Sequence, residues 1–292
     1  TGHGVDIGNG KCPNEAPALV AVNKKTGKVV WSYTVPAASI MRGQWSSPTA
    51  AMVGGRLQVL LAGGDGYLYG LSGEKGEVLW KFDCNAKKAT PYKPGGSGQK
   101  CFIVGVPVVA DGKALIAVGQ EPDDGQGEGH LWCIDITKTP TNKDKDLSPV
   151  DDDFDPKSPK NKDSGLVWHY GGKSEKGAAR DYNYGRTITT VAVHDGLVYT
   201  SELAGFLHAI DFKTGKKAWE YDLQDSTWCS PYVVDGKVFV GTDGGDIYVL
   251  PAGRKEPMAK KIEIGQQIKV PPVVANGVLY VNSGTYLYAI KP

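Results

Sequence analysis

The sequence predicts an all-β chain folded as a β-propeller of four-stranded antiparallel blades, and three observations carry that prediction. One phrase recurs with the same aromatic, the same turn and the same tryptophan: LVAVNKKTGKVVWSYT at 19 to 34, YLYGLSGEKGEVLWKFD at 67 to 83 and FLHAIDFKTGKKAWEYD at 206 to 222. It returns without its ending as YLYAI at 286 to 290. Five further segments read strand, turn pair, strand: SSPTAAMVGGRLQVL (46 to 60), GVPVVADGKALIAVG (105 to 119), TTVAVHDGLVYTS (189 to 201), SPYVVDGKVFVGT (230 to 242) and PPVVANGVLYVNS (271 to 283). Their Asp-Gly, Asn-Gly and Gly-Gly pairs tolerate the positive φ that two-residue hairpin turns demand. Finally, Gly196, Gly236 and Gly277 repeat at intervals of 40 and 41 residues. Four short β-branched and aromatic strands per period, with no 3.6-residue periodicity between them, are the pattern of a propeller blade.

Taken in order, residues 1 to 34 form a partial first blade in which 17 to 34 supply only a third and a fourth strand. The opening TGHGVDIGNG reads as the tail of a second strand with its loop. Complete blades follow at about 46 to 84, 105 to 170, 188 to 222 and 230 to 264, and 271 to 290 supply a first, second and third strand. Joining the two ends would leave one third strand too many, so the chain reads as starting inside a blade. The alternative is a six-bladed ring with an incomplete first blade. One insertion, 137 to 165, separates HLWCID from GLVWHY. It is dense in Asp, Lys, Pro and Ser, and such a composition predicts a mobile excursion.

Composition narrows the function classes. The 292 residues are 40% hydrophobic, and 33 basic against 32 acidic side chains leave a formal charge of +1, which points away from nucleic acid or an anionic membrane surface. No apolar run reaches the roughly 18 residues of a membrane span. Asp151, Asp153 and Asp155 open like a calcium loop, but Pro156 stands where the turn glycine belongs and Lys162 where the bidentate Glu belongs, so no metal site is read there. The five cysteines, Cys12, Cys84, Cys101, Cys133 and Cys229, show no zinc or haem spacing. Cys84 and Cys101 bracket a Gly/Pro/Lys-rich loop and are a candidate disulfide in an oxidising compartment. Trp31, Trp80, Trp168 and Trp219 end successive units and read as inter-blade packing.

The alternation of SP-x-V-x-DG-x-V-x-VGT with G-x-L-Y-A-L-D-x-x-TG-K-x-x-W resembles the pyrroloquinoline-quinone-type repeat. Quinoprotein alcohol dehydrogenases and outer-membrane assembly lipoproteins share it. RGQWSSP (42 to 48), KFDCN (81 to 85), VGQEPDDGQGEGHLWCID (118 to 135) and VAVHDGLVY (191 to 199) resemble large secreted propellers of planctomycete-type bacteria. The resemblance implies an eight-bladed ring, with about two and a half blades upstream of Thr1, and a periplasmic or secreted location. It also poses two functions on one scaffold. As an enzyme, the chain would be a quinone-dependent dehydrogenase of alcohols or sugars holding pyrroloquinoline quinone with calcium. The adjacent Cys-Cys pair typical of those enzymes is missing here. As a binding scaffold, it would present its loops to another protein or an envelope polymer and need no cofactor; this reading is favoured.

In a propeller the loops from fourth strand to next first strand share a face with those from second to third strand, around the channel mouth. That geometry selects a rim of Arg42, Gln44, Trp45, Arg186, Trp228, Gln267 and Lys269 from the first set. Asp65, Gln120, Glu121, His130, Glu202 and Asp243 come from the second. Basic and amide groups thus alternate with carboxylates, a site assembled from several blades on a rigid frame. No catalytic residue is assigned. Arg42 and Arg186 are expected to converge on the mouth and favour an anion there.

Overall fold

A computed structural model describes residues 16–34, 39–93, 98–120 and 127–291. The hairpin pairs do what their chemistry requires: Asp195 and Gly196 adopt φ of 46° and 70°, both positive, and Asp111–Gly112, Asp235–Gly236 and Asn276–Gly277 repeat the conformation. Each such turn joins a first strand to a second. The turn between third and fourth strands is built differently. Asp211 Oδ1 accepts the backbone N–H of Lys213 and Thr214 and the Thr214 hydroxyl, and Asn23 serves the same turn in the first repeat. These local bonds explain why Asp or Asn precedes Thr-Gly by three residues in the repeat.

Six antiparallel sheets follow one another along the chain. Blade I holds β1 (Leu19–Val22) and β2 (Val29–Tyr33). Blade II holds β3 (Thr49–Val53), β4 (Arg56–Ala62), β5 (Tyr67–Ser72) and β6 (Val78–Asp83). Blade III holds β7 (Val108–Ala110), β8 (Lys113–Val118), β9 (His130–Asp135) and β10 (Leu166–Lys173), with a fifth strand, β11 (Tyr182–Tyr184), on its outer edge. Blade IV holds β12 (Ala192–His194), β13 (Leu197–Ser201), β14 (Phe206–Asp211) and β15 (Lys217–Asp222). Blade V holds β16 (Tyr232–Val234), β17 (Lys237–Gly241), β18 (Asp246–Pro251) and β19 (Lys260–Glu263). Blade VI stops at three strands, β20 (Val273–Ala275), β21 (Val278–Ser283) and β22 (Tyr286–Ile290). Among the described residues no helix is long and apolar enough to cross a membrane.

The core lies between blades. Five apolar clusters join I to II, II to III, III to IV, IV to V and V to VI, with Leu71, Phe82, Ile103, Ile116, Leu197 and Val240 among their fully buried members. No cluster among the described residues joins VI back to I. Instead Val22, Val29 and Val30 of blade I and Val273, Tyr286 and Leu287 of blade VI stand exposed. The tryptophans reach from one blade to the next. Trp31 Nε1 donates to Gly73 O (3.1 Å), Trp168 Nε1 to Phe212 O (2.8 Å) and Trp219 Nε1 to Gly253 O (2.8 Å). Trp80 acts through a relay: its indole donates to Gln58 Oε1 in its own blade, and Gln58 Nε2 donates to Ile136 O of blade III.

Two expectations need correction. Residues 137–165 are a docked segment where the composition predicts an excursion. The outer edge of β6 offers unpaired backbone groups, and the insertion takes them: Lys81 N donates to Lys145 O and Leu147 N to Lys81 O, both at 2.9 Å. Leu147 is fully buried in the cluster between blades II and III, and Asn161 is buried beneath a run of Asx turns through Asp151, Asp153 and Asp155. An unsatisfied strand edge and one well-placed leucine outweigh an average polar composition. The Cys84–Cys101 disulfide is not formed; Cys84 is a thiol, its pKa pushed up by burial. Asn85 closes that loop instead, donating to Cys101 O (3.0 Å) and accepting from Cys101 N (2.8 Å). An amide able to hold both backbone groups leaves the loop no need of a covalent staple.

Candidate functional site

Much of the rim is occupied in bonding loop to loop. Gln44 is buried, donating to Ala62 O (2.5 Å) and accepting from Gly64 N (2.9 Å), so it frames the second-to-third-strand loop of blade II. Asp65, in that loop, accepts from Tyr69 Oη (2.6 Å) and Tyr67 N (3.1 Å), and burial pushes its carboxyl up to about 6. Gln120 is buried and donates to Gly98 O (2.6 Å). Asp243 accepts from Ser226 Oγ (2.7 Å) and from Gln267 Nε2 (3.1 Å), while Lys269 lies 4.0 Å from the centre of the Trp228 ring. Blades V and VI are thus latched across the rim. Trp45 is exposed, its ring folded over Gly43. Glu121 lies outside the described residues.

Arg186 and Glu202 are brought together. They line a cavity of about 440 Å³ at the seam of blades III and IV, with Arg180, Tyr182, Leu203 and Phe206. Arg42 is not among its lining residues. Beneath the cavity runs an ionic chain. Arg180 Nη2 donates to Glu202 Oε2 (2.5 Å), and His208 Nε2 donates to Glu202 Oε1 (2.7 Å). The His208 Nδ1 side meets Tyr170 Oη at 3.1 Å and Glu220 Oε2 at 3.5 Å. Arg180 Nη1 lies 3.1 Å from Glu220 Oε2, an ion pair. The guanidinium also rests 3.7 Å over the Phe206 ring. Glu202 and His208 are 1% and 0% exposed, so both depend on protein partners and not on water for their hydrogen bonds. Burial pushes the Glu202 carboxyl up, yet His208 and Arg180 together hold it below the usual range. The result is a rigid, charge-matched floor.

The other seam of blade III holds a histidine pair. His130 opens β9 and His169 lies on β10 opposite Trp132, so the three share one face of the sheet. His130 Nδ1 and His169 Nε2 are 2.9 Å apart. Trp132 and Phe154, the latter carried in by the insertion, each lie 4.4 Å from the His169 ring centre. Burial lowers His130 to about 4 and, with its neighbour, drives His169 well below its ordinary value, so both rings are neutral at pH 7. They face a cavity of about 330 Å³ that Glu128, Asp152 and Lys173 also line.

The rim reading missed Arg180, Phe206, His169 and Phe154. Arg180 stands in the loop before β11, a strand of three residues that the blade pattern does not contain. His169 sits on a fourth strand, and its alternation with Trp168 was a legible signal. Phe154 is one of three large apolar residues, with Leu147 and Val150, in a polar insertion, and its place depends on a fold of 29 residues that no local rule specifies.

Relatives agree with this architecture. The family model described as outer membrane protein assembly factor BamB matches residues 11–150 and 160–254. The quinoprotein alcohol dehydrogenase PedH of Pseudomonas putida is 25% identical over 303 residues, covering 85% of this chain and 46% of that protein. The quinohemoprotein alcohol dehydrogenase ADH-IIG of Pseudomonas putida is 36% identical over 94 residues, 30% of this chain and 13% of that protein. Among solved structures, the quinohemoprotein alcohol dehydrogenase of Comamonas testosteroni superposes with a TM-score of 0.53 at 14% identity, covering 91% of this chain and 49% of that one. The chain therefore spans less than half the length of each of these three. With a repeat matched over most of its length and sheets to go with it, the chain belongs to the PQQ-type repeat β-propeller family, under the model described as outer membrane protein assembly factor BamB.

Proposed function

We propose that this chain is a binding module of the cell envelope, periplasmic or secreted, which holds a protein partner at the rim of its propeller. The observation that carries the reading is the seam cavity of blades III and IV, where Arg186, Tyr182 and Phe206 surround a floor already neutralised by the Arg180–Glu202–His208 chain. A preorganised floor costs a partner little reordering, and a mixed wall of guanidinium and aromatic rings is the composition of interface anchors. The exposed faces of blades I and VI support a larger ring, eight-bladed in the family, of which these six sheets are an arc. A photo-crosslinker at the exposed lip residue Ala204 is expected to trap a defined partner in the envelope. The same group at Lys75, in a turn on the opposite face, is not, and Arg186→Glu should weaken the first adduct. Equal labelling from both positions would overturn the reading.

The dehydrogenase reading rests on the curated relatives. When bound, pyrroloquinoline quinone accepts hydride equivalents from an alcohol. Calcium needs several converging oxygen donors, and the described residues gather no three carboxylate, imidazole or thiol groups in one place. That absence among the described residues favours the binding reading. Reduction of an electron-accepting dye by the intact chain with added quinone, calcium and ethanol would reverse the preference.

A further inference from the structure

We propose that His130 and His169 are the protein ligands of a site for a late first-row divalent metal ion of tetragonal preference, Cu²⁺ ahead of Ni²⁺. Two imidazole nitrogens bound at about 2.0–2.1 Å, with a right angle between the bonds, stand about 2.9 Å apart, whereas a tetrahedral angle would separate them by about 3.4 Å. His130 Nδ1 and His169 Nε2 are 2.9 Å apart. The spacing therefore suits an ion with cis ligands at right angles, which selects copper or nickel over zinc, and the stability order of divalent ions places copper first.

The surroundings support a ligand pair. Both rings are held by aromatic contacts to Trp132 and Phe154 and cannot swing apart without unpacking the blade seam. Burial keeps them neutral, the form that binds metal. Among the described residues no third imidazole, thiol or carboxylate completes a ligand set. Asp152, which lines the cavity, already accepts from Lys87 N (2.5 Å) and Lys88 N (2.9 Å). The remaining coordination positions thus open into the 330 Å³ cavity, toward water or an incoming donor. Binding balances simply: the proton shared between the two nitrogens moves to the outer nitrogen of the ring that carried it, and the vacated lone pair joins the other on the metal. No oxidant or reductant is required.

The test is a titration of the intact, chelator-treated chain with Cu²⁺, read by indole emission and by electron paramagnetic resonance. The expected result is one equivalent bound, emission quenched through the adjacent Trp132, and hyperfine structure from two imidazole nitrogens. His169→Gln should weaken binding about tenfold or more, since loss of even an outer-sphere partner costs 10 to 100-fold, while His194→Gln on exposed β12 should change nothing. Should His169→Gln fail to fold, the resonance spectrum of the unsubstituted chain still decides. A spectrum without two imidazole nitrogens, or a folded His169→Gln chain with unchanged affinity, would show that the pair is a hydrogen bond only.

Discussion

Asp65 shows how one side chain of the rim carries pH dependence. Its carboxyl accepts two hydrogen bonds, yet burial dominates and raises it from 3.8 to about 6. An acid raised on folding favours the protonated native state. Its contribution is therefore complete below the unfolded value, near pH 4, and is lost as pH rises through about 6. Asp65→Asn should leave stability unchanged near pH 4 and raise it at pH 8, as read from denaturant midpoints at the two pH values. An equal shift at both would refute the burial argument. Glu202 is the opposite case, a carboxyl buried more deeply but held down by Arg180 and His208. Residue type and loop position single out both. Asp65 finds its partners two and four residues on, whereas Glu202 is held by His208 of β14 and by Arg180 from another blade, which local sequence does not show.

At the scale of elements, what the sequence made legible and what it hid divide by range. Asp195–Gly196 and its equivalents specify their hairpins through two residues of backbone preference, so every first and second strand could be read directly. Third-to-fourth turns follow from Asx bonds over three residues. By contrast β11 and the docked insertion exist because a distant edge needs covering, β10 in one case and β6 in the other. Leu147 is the residue that fixes the insertion. Leu147→Ala should cost about 2–5 kcal/mol, the range for deleting a buried leucine side chain, and should open 137–165 to protease before the blades unfold. Limited proteolysis that leaves the variant as resistant as the unsubstituted chain would mean that the backbone bonds at Lys81 suffice alone.

For the molecule as a whole, the seams between blades decide how it unfolds. Blades touch their sequence neighbours, and stability is a sum of sheets and seams, so one weakened seam divides the array. Trp219 spans the seam of blades IV and V, nearly buried and donating to Gly253 O. Trp219→Ala should cost about 3–5 kcal/mol and split a single denaturation into two, with blades V and VI released first. Calorimetry showing one unchanged transition would contradict this.

The handing of an indole N–H to the next blade also gives the arc a direction. Gly76 and Gly215 sit under the rings of Trp31 and Trp168 from the blade before, whereas the matching Gly27 of blade I has open space above it. Gly27 is therefore an acceptor seat, and at the other end blade VI, among the described residues, is a three-stranded sheet that ends on β22. A further blade joining at blade I in the same register would set its tryptophan over Gly27, so this polarity fixes the order in which blades can stack.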